Sequence, residues 1–308
     1  MCYSAMLVTR YQQYLRETGA EMDFEQFEEI FGMRVTDPGV RILRAVERWF
    51  DAAQSSPAQR VQALIASHNA AQVTQLQQAI FAQRKRLADA QRQLAVKPTK
   101  KAAEDQRIAT SKVEKAMLAL SLHQGTQAGP LDGRVFALRF APIVMNIGGR
   151  NVVRLARYHL RRPGDLPTVD QEKKGLYNAR RDNLQHYWRG QYGHTHAIAL
   201  MDSFFEYVQR DGRSVELHFR PSGGDAMQVA CLYADWRGAD GTHLPCFAVI
   251  TDEPPAEVAA AGHDRCPINL TPAAAQRWLT PAGRSHQELQ AILDDRQRPF
   301  YENAVMAA

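Results

Sequence analysis

At 308 residues, with 45% hydrophobic and 8% aromatic content, the chain has enough apolar material for one large core or two modest ones, which excludes wholesale disorder. Its formal net charge of +5 permits a polyanionic partner without requiring one. No stretch approaches the roughly 18 consecutive apolar residues of a membrane span.

The opening text, MCYSAMLVTRYQQYLRE, turns polar too soon for a signal peptide, so a cytoplasmic protein is expected, nucleoid-associated if bacterial. The four cysteines, Cys2, Cys231, Cys246 and Cys266, should then be reduced thiols. None forms a C-x-x-C pair, so no structural zinc is expected. Cys2 stands directly behind the initiator methionine. Trimming of Met1 exposes an α-amine and a thiol two carbons apart. Such a 1,2-aminothiol condenses with an aldehyde to an imine and then closes a thiazolidine ring. An internal cysteine cannot do this, because its nitrogen is held in an amide.

Residues 1–50 mix short apolar runs with acidic, helix-like text such as DFEQFEEIFG. From Pro57 to Gln124 there is no glycine, and Ala, Gln, Lys, Arg and Leu dominate. Val73, Leu76, Ile80, Leu87, Ala90 and Leu94 fall at alternating three- and four-residue steps, the seam of a coiled coil. The pattern breaks at Lys97-Pro98-Thr99, where proline lacks a helical N–H donor. A second stripe follows, with Ile108, Val113, Met117 and Leu120. Two helices joined by a proline turn predict an antiparallel hairpin. Residues 60–124 hold 11 Lys/Arg and 4 Asp/Glu, a local balance of +7. That charge reads either as a solvated coiled-coil face or as a basic arm that touches phosphates.

After Gly125 the text becomes β-like. VFALRFAPIVMNI, NVVRLARYHL, HTHAIALMDSFFEYV, SVELHFRP, MQVACLYADW and CFAVIT are short β-prone runs bounded by Gly, Pro and Asp. They predict an α+β fold, mostly antiparallel and barrel-like. TPAAAQRWLT and SHQELQAILDD read as capped helices. The expected organisation is one discontinuous domain, residues 1–56 and 125–308, with the hairpin 57–124 inserted.

Four places stand out for chemistry. YNARRDN puts Asn178 between a glycine turn and the arginines Arg180 and Arg181, a composition suited to an anion. In MDSFFEYV, Glu206 follows two phenylalanines, and a carboxylate desolvated among aromatics holds its proton nearer neutrality. In AGHDRCPINL, His263 follows a glycine and titrates in the useful range. The H-x-H of His194 and His196 has the spacing of metal ligands on a strand, but no neighbouring carboxylate or cysteine completes a set, and no metal is expected.

Taken in order, the N-terminal MC, the Phe140-Ala141-Pro142 turn, the N-A-R loop, the F-F-E-Y strand and the H-D-R-x-P loop resemble the SRAP family, whose abasic-site processing proteins cap abasic sites in single-stranded DNA. The resemblance covers residues 1 to about 35 and about 130 to 280. It implies a catalytic role for Cys2, Asn178, Glu206 and His263, and DNA contacts from Arg180, Pro142, Tyr207 and Arg181. The implied partner is single-stranded DNA carrying abasic sites, and no cofactor is implied. It also implies that the Cys2 amine and thiol form a thiazolidine on the sugar aldehyde, with Glu206 shuttling protons and His263 assisting reversal or strand cleavage. The chain departs from the family at Tyr3 and Ser4, where the family usually has Gly-Arg, at Tyr207 in place of tryptophan, and at Tyr158-His159-Leu160-Arg161 in place of a W-G-x-x-P-x-W stretch. Two other readings stay open: an N-terminal cysteine hydrolase whose own amine is the base, and a noncatalytic nucleic-acid-binding coiled-coil protein.

Overall fold

The structure, a computed structural model, describes residues 3–125, 129 and 131–306, so that Cys2 lies outside the described residues. The N-terminal part runs β1 (Ser4–Leu7), α1 (Tyr11–Thr18), β2 (Glu21–Met22), α2 (Phe24–Thr36), β3 (Arg41–Ile42) and α3 (Arg44–Glu47). The acidic text becomes α2 because Asp23 caps it, its carboxylate accepting the Gln26 N–H at 3.2 Å.

Two long helices follow, α4 (Ser56–Val96) and α5 (Lys100–Gln124), each started by a hydroxyl cap, Ser55 and Thr99. They pack against each other as an antiparallel pair. Ile80 and Ala90 are buried in α4, and Ala102 and Ala109 in α5. Met117, assigned to the apolar stripe from sequence, is 47% exposed, and the buried residues of α5 are Ala102 and Ala109. The first turns of α4 belong elsewhere. Ala58, Val61 and Ile65 are part of the main core, and Asn69 donates to Glu47 of α3.

The C-terminal part comprises β4 (Arg134–Phe136), β5 (Arg139–Ile147), β6 (Arg150–Tyr158), α6 (Val169–Glu172), β7 (Asn178–Arg180) and β8 (His196–Arg210). It continues with β9 (Arg213–Pro221), β10 (Met227–Arg237), β11 (His243–Asp252), α7 (Ala256–Ala260), β12 (Cys266–Pro267) and β13 (Asn269–Leu270). The last elements are α8 (Pro272–Trp278), α9 (His286–Asp294) and β14 (Tyr301–Val305).

Five strands close on themselves in the order β5–β6–β11–β10–β8 and back to β5. All joins are antiparallel except β6 with β11, which meet in parallel at Arg157–Cys246 and Tyr158–Phe247. The fold is therefore α+β around a closed barrel. The β5–β6 hairpin turns on Gly148-Gly149, with φ of +59° and +83°, a pair of left-handed positions that glycine accepts without strain. Beyond the barrel, β8 extends past its closure to pair with β9 and β1, and β1 pairs in turn with β4.

Three local expectations are corrected. Phe140-Ala141-Pro142 is not a turn but lies inside β5. Pro142 is tolerated there because β5 pairs with β3 only at residues 139–140 and with β8 only at 144–145, so no partner needs the missing N–H between them. The N-A-R segment is not a loop but the strand β7, parallel to β11 through Val249–Asn178 and Thr251–Arg180. The first β-like run is split in two at Ala137-Leu138, with Leu138 at φ +70°.

Candidate active site

Strand alternation on β8 divides the F-F-E-Y sequence between two faces. Phe204 stacks on Phe219 at 5.0 Å in the core, and Phe205 stacks on His218 at 4.3 Å. Both phenylalanines are fully buried, whereas Tyr207 is 45% exposed. Of these three aromatics, only Tyr207 offers a surface to a ligand.

Glu206 is only 2% exposed. Its Oε2 lies 3.1 Å from Nε2 of His263, which is itself buried. His263 follows Gly262, whose φ of +98° suits glycine and turns the chain back toward β8 after α7. The imidazole Nδ1 lies 2.9 Å from the Arg265 carbonyl oxygen. The Arg265 N–H lies 3.3 Å from the same Nδ1, so this nitrogen has both an acceptor and a donor within reach in its own loop. Nε2 is the ring nitrogen that faces the Glu206 carboxyl. Burial raises the Glu206 carboxyl above the ordinary carboxylate range, opposed by the hydrogen bond and charge of His263 and by the Tyr3 backbone. The arrangement is a desolvated acid–imidazole pair holding a transferable proton.

The start of the chain is tied to the same place. The Tyr3 N–H donates to the Phe205 carbonyl at 3.2 Å, and Ser4 pairs with Phe205 across β1 and β8. The Tyr3 ring packs edge-on against Tyr207 at 4.8 Å and Phe136 at 5.8 Å.

Asn178 is buried on β7. The segment it begins meets the His263 loop through Asp182, which lies 3.8 Å from Arg265 and binds Arg180 at 2.6 Å. Arg180 is exposed, as a backbone contact requires. Arg181 and Pro142 do not suit the DNA contacts assigned to them. Arg181 points away, held by Asp252 at 3.0 Å, Asp294 at 2.7 Å and Gln290 at 2.8 Å. Pro142 is buried within β5.

The three described cysteines are all buried. Desolvation pushes Cys246 up to about 11 and Cys266 up to about 12, and raises Cys231 further, so none forms a thiolate readily. His196 of the H-x-H pair has both ring nitrogens engaged, Nε2 accepting from Gly193 N–H at 2.8 Å and Nδ1 lying 3.0 Å from Trp278 O. Among the described residues, no group of three His, Cys, Asp or Glu is placed to hold a metal ion, and no helix is long and apolar enough to cross a membrane.

Sequence comparison matches residues 140–306, which contain Asn178, Glu206 and His263, to the family SRAP, SOS response associated peptidase. The chain belongs to the SRAP family. A stretch of 97 residues is 30% identical to the abasic site processing protein YoaM of Bacillus subtilis (strain 168), covering 31% of this chain and 42% of YoaM, so less than half of that relative's length is matched. Two solved structures are similar, each with a TM-score of 0.47. A Bordetella bronchiseptica protein is 20% identical, with 59% of this chain and 90% of that chain covered. A Bacteroides thetaiotaomicron protein is 16% identical, with 62% of this chain and 88% of that chain covered.

One group beside this SRAP site was not legible from the sequence. Arg134 of β4 is buried, and its Nε and Nη2 both donate to Ser4 Oγ, at 2.9 and 2.8 Å. Its guanidinium forms an ion pair with Glu216 and lies 3.7 Å from the Phe205 ring centroid. A single arginine thus fastens β1, β4, β8 and β9 together one residue from Tyr3. Position 4, usually arginine in the family, is here the acceptor for an arginine 130 residues away. No local motif signals such a contact.

Proposed function

We propose that this protein captures abasic sites in single-stranded DNA as a covalent adduct on Cys2. The observation that carries the reading is the buried Glu206–His263 pair, 3.1 Å apart, lying directly beside the backbone to which Tyr3 is bonded. One peptide bond separates Tyr3 from Cys2. The raised Glu206 carboxyl suits a proton donor, and the inertness of the three buried thiols leaves the cysteine chemistry to Cys2. Membership of SRAP and the likeness to a protein named for abasic-site processing support the substrate class.

The abasic sugar opens to an aldehyde at C1′. An α-amine has a pKa of about 7.7–8.0, so a useful fraction is neutral at physiological pH. The Cys2 nitrogen lone pair attacks C1′ and the carbonyl oxygen takes a proton, giving a carbinolamine. Protonation of its hydroxyl by the Glu206–His263 pair expels water and leaves an imine. The Cys2 sulfur then adds to the imine carbon, and the thiol proton ends on nitrogen. The net change is aldehyde plus aminothiol to thiazolidine plus water. Asn178 orients the sugar, and Arg180 and Tyr207 contact the flanking strand.

The test is incubation with single-stranded DNA carrying one abasic site, followed by denaturing electrophoresis. A shifted band that survives denaturation is expected with free Cys2, and is lost in Cys2→Ala or behind an N-terminal extension. Absence of the band from the unmodified protein overturns the reading, and cleavage of peptides without DNA favours the hydrolase.

A further inference from the structure

Among the described residues, two arginines near the site have no carboxylate partner. Arg41 of β3 and Arg139 of β5 stand directly opposite each other in the parallel register, so their side chains leave the same face of the sheet. Like charges so placed are destabilising. Neither makes an ion pair among the described residues, and the charge that acts on Arg139 is that of Arg41. Arg139 is half-buried, and burial together with the Arg41 charge lowers its pKa from the usual guanidinium range. A half-buried cation facing another cation is the arrangement that an anion relieves.

The place of the pair in the fold points to which anion. The Arg139 guanidinium sits 5.3 Å from the Phe136 ring, and that ring touches Tyr3. Arg139 is also presented by a strained turn. Leu138, immediately before it, holds φ +70°, a conformation a leucine rarely adopts. The Leu138 N–H donates to the Tyr158 carbonyl at 2.9 Å, which fixes the turn to β6.

We propose that Arg41 and Arg139 form a phosphate clamp for the DNA strand beside the reactive N-terminus, a role served by neither Ser4 nor the internally paired Arg134. The inference rests on the reading of the ligand as single-stranded DNA. It is tested by binding of a fluorescent oligothymidylate that carries no abasic site, followed by anisotropy across about 50–200 mM salt. Arg41→Gln and Arg139→Gln should each bind about tenfold more weakly at low salt. The double variant should lower the magnitude of the slope of log affinity against log salt by about 0.7, the share of one phosphate that is no longer neutralised. Arg41→Lys, which keeps the charge, should retain the slope. Arg41→Gln, at the exposed member of the pair, should melt no lower than the parent, because a repulsion has been removed. An unchanged slope in the double variant, a flattened slope in Arg41→Lys, or a lower melting temperature in Arg41→Gln overturns the clamp. The oligonucleotide has no aldehyde, so failure of the parent to crosslink an abasic strand overturns the chemical reading alone.

Discussion

Replacing Glu206 by glutamine separates the chemistry of the site from its architecture. Glutamine keeps the volume and can donate its amide N–H to His263 Nε2 across the same 3.1 Å. What it removes is the acid proton. With the pair buried at 2% and 8% exposure, bulk water is poorly placed to supply that proton instead. Loss of a positioned general acid costs about 10²- to 10⁴-fold in rate, or about 2.7–5.4 kcal/mol of barrier at about 1.36 kcal/mol per decade. Stability should move the other way. Because burial raises the folded-state pKa of Glu206, the wild-type carboxyl contributes full stability below its unfolded pKa and loses it as pH rises through the folded value. Glutamine has no such loss, so Glu206→Gln should match or exceed the parent in melting temperature at neutral and higher pH. Glu206→Ala differs, since it leaves the His263 ring with an empty space and should destabilise by about 1–3 kcal/mol. The assay is single-turnover adduct formation on abasic single-stranded DNA, with thermal melts of the same samples. A Glu206→Gln protein that crosslinks at the parental rate refutes the reasoning. So does one that melts several degrees lower, because the pair would then be structural.

Three other outcomes are expected. The parent's adduct rate should be bell-shaped in pH, rising as the α-amine deprotonates and falling as the raised Glu206 carboxyl ionises, and Glu206→Gln should abolish the falling limb. Arg134→Gln should destabilise by about 2–3 kcal/mol in denaturant titration, below the 3–5 kcal/mol of a fully buried pair because the Glu216 side chain keeps 16% exposure. Removing residues 72–118 should spare the main core, to which α4 contributes Ala58, Val61 and Ile65, while deleting ten Lys/Arg against four Asp/Glu. If the hairpin is an arm that touches phosphates, the shortened protein binds single-stranded DNA more weakly and with a flatter salt dependence at an unchanged melting temperature.

Legibility from sequence followed the range of the interaction. Strand runs, helix caps and the hairpin seam are set by neighbours a few residues apart, and the barrel strands and capped helices formed where their text placed them. Phe140-Ala141-Pro142 departs from its expected turn because proline's usual meaning depends on whether a partner strand needs its N–H, and that is a property of the sheet. Arg181 departs for a related reason. An arginine beside a phosphate-like motif looks available until Asp252, Asp294 and Gln290, from elements far along the chain, are seen to hold it.

By itself, the sequence determined the local chemistry: an aminothiol latent at Cys2, a glutamate among aromatics, a histidine released by Gly262, and an order of short motifs that identifies SRAP. Tertiary structure alone decided which of these groups act as a unit. Beyond the barrel, the loop after α7 folds back to set residue 263 against residue 206, and the β1–β4 pairing sets residue 134 against residue 4, and burial raises the Glu206 carboxyl. Those effects depend on distance and desolvation, quantities that a linear order of residues does not contain.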